Sequence, residues 1–179
     1  MMNNKILIGT LLGTMALTAI IMSYFMVNNM QKDTSKKRYH LTKDYKKFKK
    51  QKYNYDSSLG VRSFNQLCAR CHGINGVGRS DVPPLAQAKI LESHDKFLKV
   101  IIFGLKGKIQ RNEITYNNKM PSFKNIGHQD LAHLANYVLK TFSPVLKDSK
   151  SIEQVTTVDI ITHKVEGVDR SELYTEAEL

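Results

Sequence analysis

From Ile6 to Val27 the chain runs ILIGTLLGTMALTAIIMSYFMV, 22 residues without a charge, with only Lys5 and the amino terminus charged before it. A helix of that length spans roughly 30 Å at 1.5 Å per residue, the depth of a bilayer's hydrocarbon core. The pattern predicts a single membrane anchor over 6–27. A cleaved signal peptide competes with it, but the run is longer than an ordinary h-region and MVNNMQKD offers no A-x-A cleavage site. A buried soluble helix is the third reading. Residues 28–56 then turn polar, with Leu41, Tyr45 and Phe48 at i, i+4 and i+7 against a lysine face. This is either a short basic amphipathic helix lying on lipid or a solvated spacer that, fully extended, reaches on the order of 95 Å.

Helical periodicity resumes at Leu59, Phe64 and Leu67 and stops at Gly73. GINGVGRSDVPPLAQ is too rich in Gly and Pro for a regular element and predicts a loop. Phe97, Val100 and Ile101 mark a short helix with Gly104 and Gly107 at its exit, and IQRNEITYNNKMPSF is polar and irregular. The clearest helix after the anchor carries Leu131, Leu134, Ala135, Val138 and Phe142, with Asp130 in its first turn and Pro144 closing it. VTTVDIITHKV, residues 155–165, predicts a short strand inside an acidic extension, 148–179, that reads as an appendage. The result is a mostly helical domain over 57–147. A domain of this size has a marginal core unless a cofactor helps to fill it.

The formal charge of +11 belongs more to the linker than to the domain. Ten Lys or Arg fall within 28–52 against only Asp33 and Asp44, whereas 150–179 holds seven acids and three bases. No nucleic-acid module accompanies the basic run, so nucleic acid is not read as a partner. Anionic lipid, through residues 32–52, or an acidic protein surface suits it better. Taken alone, the positive-inside tendency keeps this flank in the cytoplasm.

Cys68 and Cys71 are the only cysteines, and His72 follows at once in CARCHG. C-x-x-C-H is the attachment pattern of c-type haem. Thiols three positions apart near a helix end reach the two vinyl carbons on one porphyrin edge, and the adjacent histidine comes beneath the iron. A thioredoxin-like pair calls for a βαβ context that these helices lack. Structural zinc calls for a second ligand pair, and a disulfide here would close a tiny loop. On the iron's other side, methionine or histidine would suit electron transfer, and an open position would suit gas binding or peroxide chemistry. Six of seven methionines lie in or beside the anchor, and Met120 alone lies in the domain, before Pro121 in a polar stretch. It is read as the second ligand, with a gap-filling core methionine as the alternative.

Gly60, Phe64 and Leu67 in GVRSFNQLCARCHG, Gly76 and Gly78 in GINGVGRSDVPPL, then Ile101, Gly104, Gly107, NNKMPSF and LANYVLKTF occur in an order that resembles a membrane-anchored, mono-haem class I cytochrome c over residues 57–143. The resemblance implies that fold, short helices and loops wrapped around one haem c bound by thioethers to Cys68 and Cys71, with His72 and Met120 on the iron. It implies that Gly60 and Phe64 pack across the C-terminal helix at Tyr137, and that the carbonyl of one of the pair Pro83-Pro84, Pro83 before Pro84, accepts a hydrogen bond from His72. Leu85 would press on a haem face, and Tyr116 and Asn118 would donate to a propionate or toward the methionine sulfur. Arg79 is either a propionate partner or an exposed arginine. His94, His128 and His133 read as surface or capping residues.

As to function, the resemblance implies one-electron transfer without catalysis on a small substrate. The chain would be a single-pass protein of the bacterial inner membrane, residues 1–5 cytoplasmic and the haem domain on the periplasmic or outer face. That placement runs against the charge of 28–52. A subunit of a respiratory complex, using anchor and tail as assembly contacts, is the leading reading. A tethered shuttle between redox proteins is the alternative, and a haem-based sensor or peroxidase, which needs Met120 off the iron, is the reading of a different class.

Overall fold

The computed structural model describes the backbone of residues 4–48, 53–86, 88–111, 113–145 and 154–179, and in the long first helix the side chains of 17–38, 40, 41 and 43. Two units result, Met1–His40 and Leu41–Leu179. The first unit is helical, within α1 (Asn4–Phe48). Its large apolar side chains from Leu17 to Met30, among them Ile20, Ile21, Phe25 and Val27, are all exposed. Among the described residues no helix is long and apolar enough to cross a membrane. The expected anchor lies only partly among them, because residues 1–3 and the side chains of 4–16 fall outside, as do 49–52 and 146–153. Residues 28–48 are helical, not extended, so the reach of an extended linker does not apply to them; lysine-rich sequence favours helix.

The second unit is built on two crossing helices. α2 (Ser57–Leu67) starts at Asp56, whose carboxylate accepts from the N–H groups of Ser58 and Leu59 at 2.8 and 3.4 Å. Gly60 and Phe64, one turn apart, form its buried face. The backbone breaks step at Cys68 and resumes as α3 (Ala69–His72), which ends at Gly73 with φ 78°. α4 (His94–Phe103) buries Phe97, Leu98 and Val100 to Phe103. α5 (His128–Phe142) buries Leu131, Leu134, Ala135, Val138 and Leu139 and packs on α2. At the crossing a Cβ on Gly60 would stand 2.8 Å from the His133 carbonyl oxygen and from Tyr137 Cβ. Phe64 packs beside that contact, its ring 5.2 Å from Tyr137 and 5.4 Å from Phe142 between centroids.

Short strands lie where the sequence reads as irregular. β1 (Leu105–Lys106) leaves α4, and β2 (Ile109–Arg111) pairs antiparallel with β3 (Ile114–Tyr116), Ile109 opposite Tyr116. Three residues are too few for alternation to show, and only Ile109 and Tyr116 of the six are buried.

The C-terminal extension departs most from expectation. Residues 155–165 contain no strand; α6 (Thr157–Glu166) packs on α4 and α5. Its β-branched composition is overridden by a capping box, in which Asp159 accepts from the Thr156 N–H at 2.7 Å and Thr156 Oγ accepts from Asp159 N–H at 3.4 Å. Ile160 and Ile161 are completely buried, worth about 2 kcal/mol each before chain entropy. The extension is therefore part of the core, not an appendage. Its attachment point is Asn136 on α5, whose amide donates to the Val155 carbonyl at 2.7 Å and accepts from the Val155 N–H at 3.0 Å, as a peptide group would. His133 is likewise no surface residue: it is 4 % exposed, and its Nδ1 lies 3.1 Å from the Asp56 N–H and 3.2 Å from the Tyr53 hydroxyl. β4 (Tyr174–Thr175) pairs in parallel with β1.

Lys164 on α6 is buried and donates to the Ile126 carbonyl at 2.7 Å, and burial pushes its pKa down to about 8 from the ordinary 10.5. Between those values the unfolded chain keeps a proton that the folded protein has released, so stability rises with pH across the window and the cost of the buried ammonium is borne in full below it. Relative to a Lys164→Met variant, the parent should gain about 1–2 kcal/mol between pH 8 and pH 10 in urea unfolding, allowing for partial screening by water. A difference that stays constant with pH would mean the ammonium is not held at a cost.

Candidate functional site

Cys68, Cys71 and His72 stand at the break between α2 and α3, where the Cys71 and His72 N–H groups both turn back to the Cys68 carbonyl, at 3.0 and 2.9 Å. That tight turn gathers three functional side chains within one helical repeat. Burial, and after it the neighbouring Cys71, push the Cys68 thiol up to about 12, so it is no reactive thiolate. His72 is held below its ordinary pKa chiefly by burial, with the Pro83 carbonyl opposing the shift and Arg79 adding to it. Its Nδ1 lies 3.0 Å from the Pro83 carbonyl oxygen. A carbonyl only accepts, so Nδ1 carries the proton and Nε2 keeps its lone pair. A neutral imidazole with its tautomer fixed in this way is a metal ligand in waiting.

Met120 is positioned by backbone. Leu105 and Met120 form an antiparallel bridge, N–H to carbonyl in both directions, at 3.1 and 2.8 Å. The approach depends on Gly104, which has φ 80° and where a Cβ would come within 2.6 Å of the Met120 carbonyl oxygen. The next residues satisfy carbonyls left open at the end of α4. Ser122 Oγ donates to Ile102 at 2.8 Å and the Phe123 N–H donates to Ile101 at 3.3 Å. Methionine and helix end are thus stitched together.

One cavity, open at its mouth, joins the two sets. Cys68, Cys71, His72, Pro83, Asn118 and Met120 line it, with Leu67, Val82, Leu105, Ile109 and Phe123 supplying an apolar wall and Lys119 and Pro121 completing it. Leu85 and Tyr116 do not line this cavity; Leu85 packs on the core and Tyr116 is buried in β3. Asn118 donates to Asp81 at 2.9 Å, and Arg79 donates to the same carboxylate at 2.8 Å. Asp81 thus engages Asn118 and Arg79, two of the three donors that the sequence aims at a propionate. Leu105 and Ile109, which the sequence does not single out, have no local pattern to mark them, since only the fold brings them to the wall beside Cys68 and His72.

An apolar cleft holding two thiols, an imidazole with a free Nε2 and a thioether fits a covalently attached iron porphyrin in its donor set. Comparison with known proteins agrees. The family model for cytochrome c matches residues 57–142. Two proteins named cytochrome c-552, both from Thermus thermophilus and the second from a designated strain of that species, are each 31 % identical over 94 residues. That stretch covers 49 % of this chain, 71 % of the first relative and 63 % of the second. The chain belongs to the cytochrome c family, and so to the proteins that transfer electrons through a covalently held haem c.

Proposed function

We propose that this chain is a membrane-anchored one-electron carrier of a bacterial respiratory chain, with a single haem c joined by thioethers to Cys68 and Cys71 and ligated by His72 and Met120. The observation that carries the reading is the shared cavity of those four side chains. When bound, the haem iron supplies a one-electron couple, and a thioether as second ligand raises its potential relative to a second imidazole. The protein's part is to hold and insulate. His72 keeps Nε2 unprotonated through its bond to Pro83, the bridge to Leu105 holds Met120, and the apolar wall limits water. With His72 and Met120 both facing one cavity and both able to ligate the iron, the site would suit electron transfer better than gas sensing or peroxide chemistry.

The anchor is argued from the 22 uncharged residues of 6–27 and from the exposed apolar side chains between Leu17 and Met30, which no described residue covers. A helix apolar on all sides suits lipid. The basic residues of 32–52 would then lie beside anionic headgroups or an acidic partner. Haem attachment outside the cytoplasm puts the domain on the outer face of the inner membrane. As a subunit of a respiratory complex, the chain would engage its neighbours through the anchor and the basic segment. The tail is committed to its own domain through Val155, Ile160 and Ile161, which favours the tethered shuttle as a second reading. Purification in mild detergent distinguishes them: a large complex on the haem-bearing fraction means a subunit, and the chain running alone means a shuttle.

Met120→Ala should leave haem attached, abolish the sulfur-to-iron absorption at the red end of the visible spectrum, lower the potential and open the iron to added imidazole. Survival of that absorption would assign the ligand elsewhere. Cys68→Ser with Cys71→Ser should eliminate haem that survives denaturing electrophoresis and destabilise the domain by at least ~5 kcal/mol, the lower end of a domain's whole stability. Apoprotein at normal yield with unchanged melting would contradict this.

A further inference from the structure

We propose that the C-terminal segment Glu172–Thr175 is a positioning element for Met120, clamping the strand that holds the methionine at the cavity. This rests on the reading of Met120 as an iron ligand and adds a role for a segment beyond the family match, which ends at residue 142.

At two residues β1 is too short to persist alone. One edge is taken by Met120, which uses both the N–H and the carbonyl of Leu105. The other edge is taken by the tail, with Leu105 paired to Tyr174, Lys106 paired to Thr175, and the Tyr174 N–H donating to the Gly104 carbonyl at 3.1 Å. β1 is therefore the middle of a three-segment ribbon, methionine on one side and tail on the other. Remove the tail, and among the described residues the only strand pairing left to β1 is the segment it has to hold.

Side chains fasten the tail at several points. Leu173 packs beneath Gly104, its Cδ2 at 2.7 Å from where a Cβ would be, close behind the Met120 carbonyl. Lys106 pairs with Glu172 across the β1 and β4 edges. Arg170 stacks on the Tyr174 ring at 3.5 Å and reaches Glu178 at 2.7 Å. Arg111 pairs with Glu176 at 2.6 Å, which ties in β2, the strand that sends Ile109 into the cavity wall. Exposed ion pairs add little stability individually, but together they set the register of the tail on β1. Local opening is easiest where a segment has few partners. The tail supplies partners to the one strand that Met120 leans on.

The test uses the full holoprotein beside a chain ending at Ser171, which keeps α6, and a Tyr174→Pro variant, which removes the N–H given to Gly104. The readouts are the red sulfur-to-iron absorption of the oxidised protein and the rate of imidazole binding to it. Both altered proteins should keep covalent haem and helical circular dichroism, show a weaker red absorption and bind imidazole about tenfold faster, the effect of losing one to two net hydrogen bonds. If the shortened chain fails to accumulate, the same readouts on Tyr174→Pro decide. Unchanged absorption and rate, in a parent whose red absorption is lost in Met120→Ala, would overturn the positioning role alone. A parent that lacks that absorption, or keeps it in Met120→Ala, would overturn the ligand reading and the positioning role with it.

Discussion

Where α2 crosses α5, the two helices touch at Gly60 with no room for a side chain, a Cβ there falling 2.8 Å from the His133 carbonyl and Tyr137 Cβ. Everything else hangs from that contact. It fixes the end of α2, and with it the turn that presents Cys68, Cys71 and His72. It sets the buried face of α5, which carries Leu131 and Leu134 into the core and Asn136 toward the extension. A larger residue at 60 would part the helices and move cavity wall and tail together. The small residue costs some helix propensity, about 1 kcal/mol relative to alanine, and obtains a close crossing that no larger residue permits.

The cavity shows how a site can be divided between two kinds of support. Its histidine side is local: cysteines, imidazole and Pro83 lie within sixteen positions of chain, joined by a turn and one side-chain hydrogen bond. Its methionine side is assembled from three distant segments, with Met120 bonded to Leu105 and Leu105 in turn paired with Tyr174. Legibility in the sequence follows that division. CARCHG announces its chemistry because spacing alone creates it, and the helices around Phe97 and Leu131 announce themselves by period. Met120 could be singled out only because the other methionines lie elsewhere. Leu105, Ile109 and Tyr174 carry no local signal, for their roles come from what they meet.

The extension reads as a strand, and folds as a helix, for a physical reason. VTTVDIITHKV has the β-branched content of a strand, and propensity is a weak prior that docking overrides. The capping pair Thr156 and Asp159, three residues apart, is the one local sign of the helix. The acidity of the tail is also visible in the sequence, but not its destination. Glu172, Glu176 and Glu178 are matched with Lys106, Arg111 and Arg170, so the negative charge is used within the second unit. The net charge of the whole chain obscures this internal pairing.

Asn136 has a consequence for how the molecule is made. It bonds Val155 with both ends of its amide and takes Tyr53 as a further partner at 3.2 Å, so one side chain binds the two ends of the domain. Contacts of such sequence separation are closed late and slowly. A ribosome delivers residue 53 long before residue 155, and Ile160 and Ile161 later still. Until they emerge, the faces of α4 and α5 that receive them stay wet and the core is unfinished. The packing of this unit therefore waits on residues 155–161, because the faces of α4 and α5 stay unfilled until those residues are present.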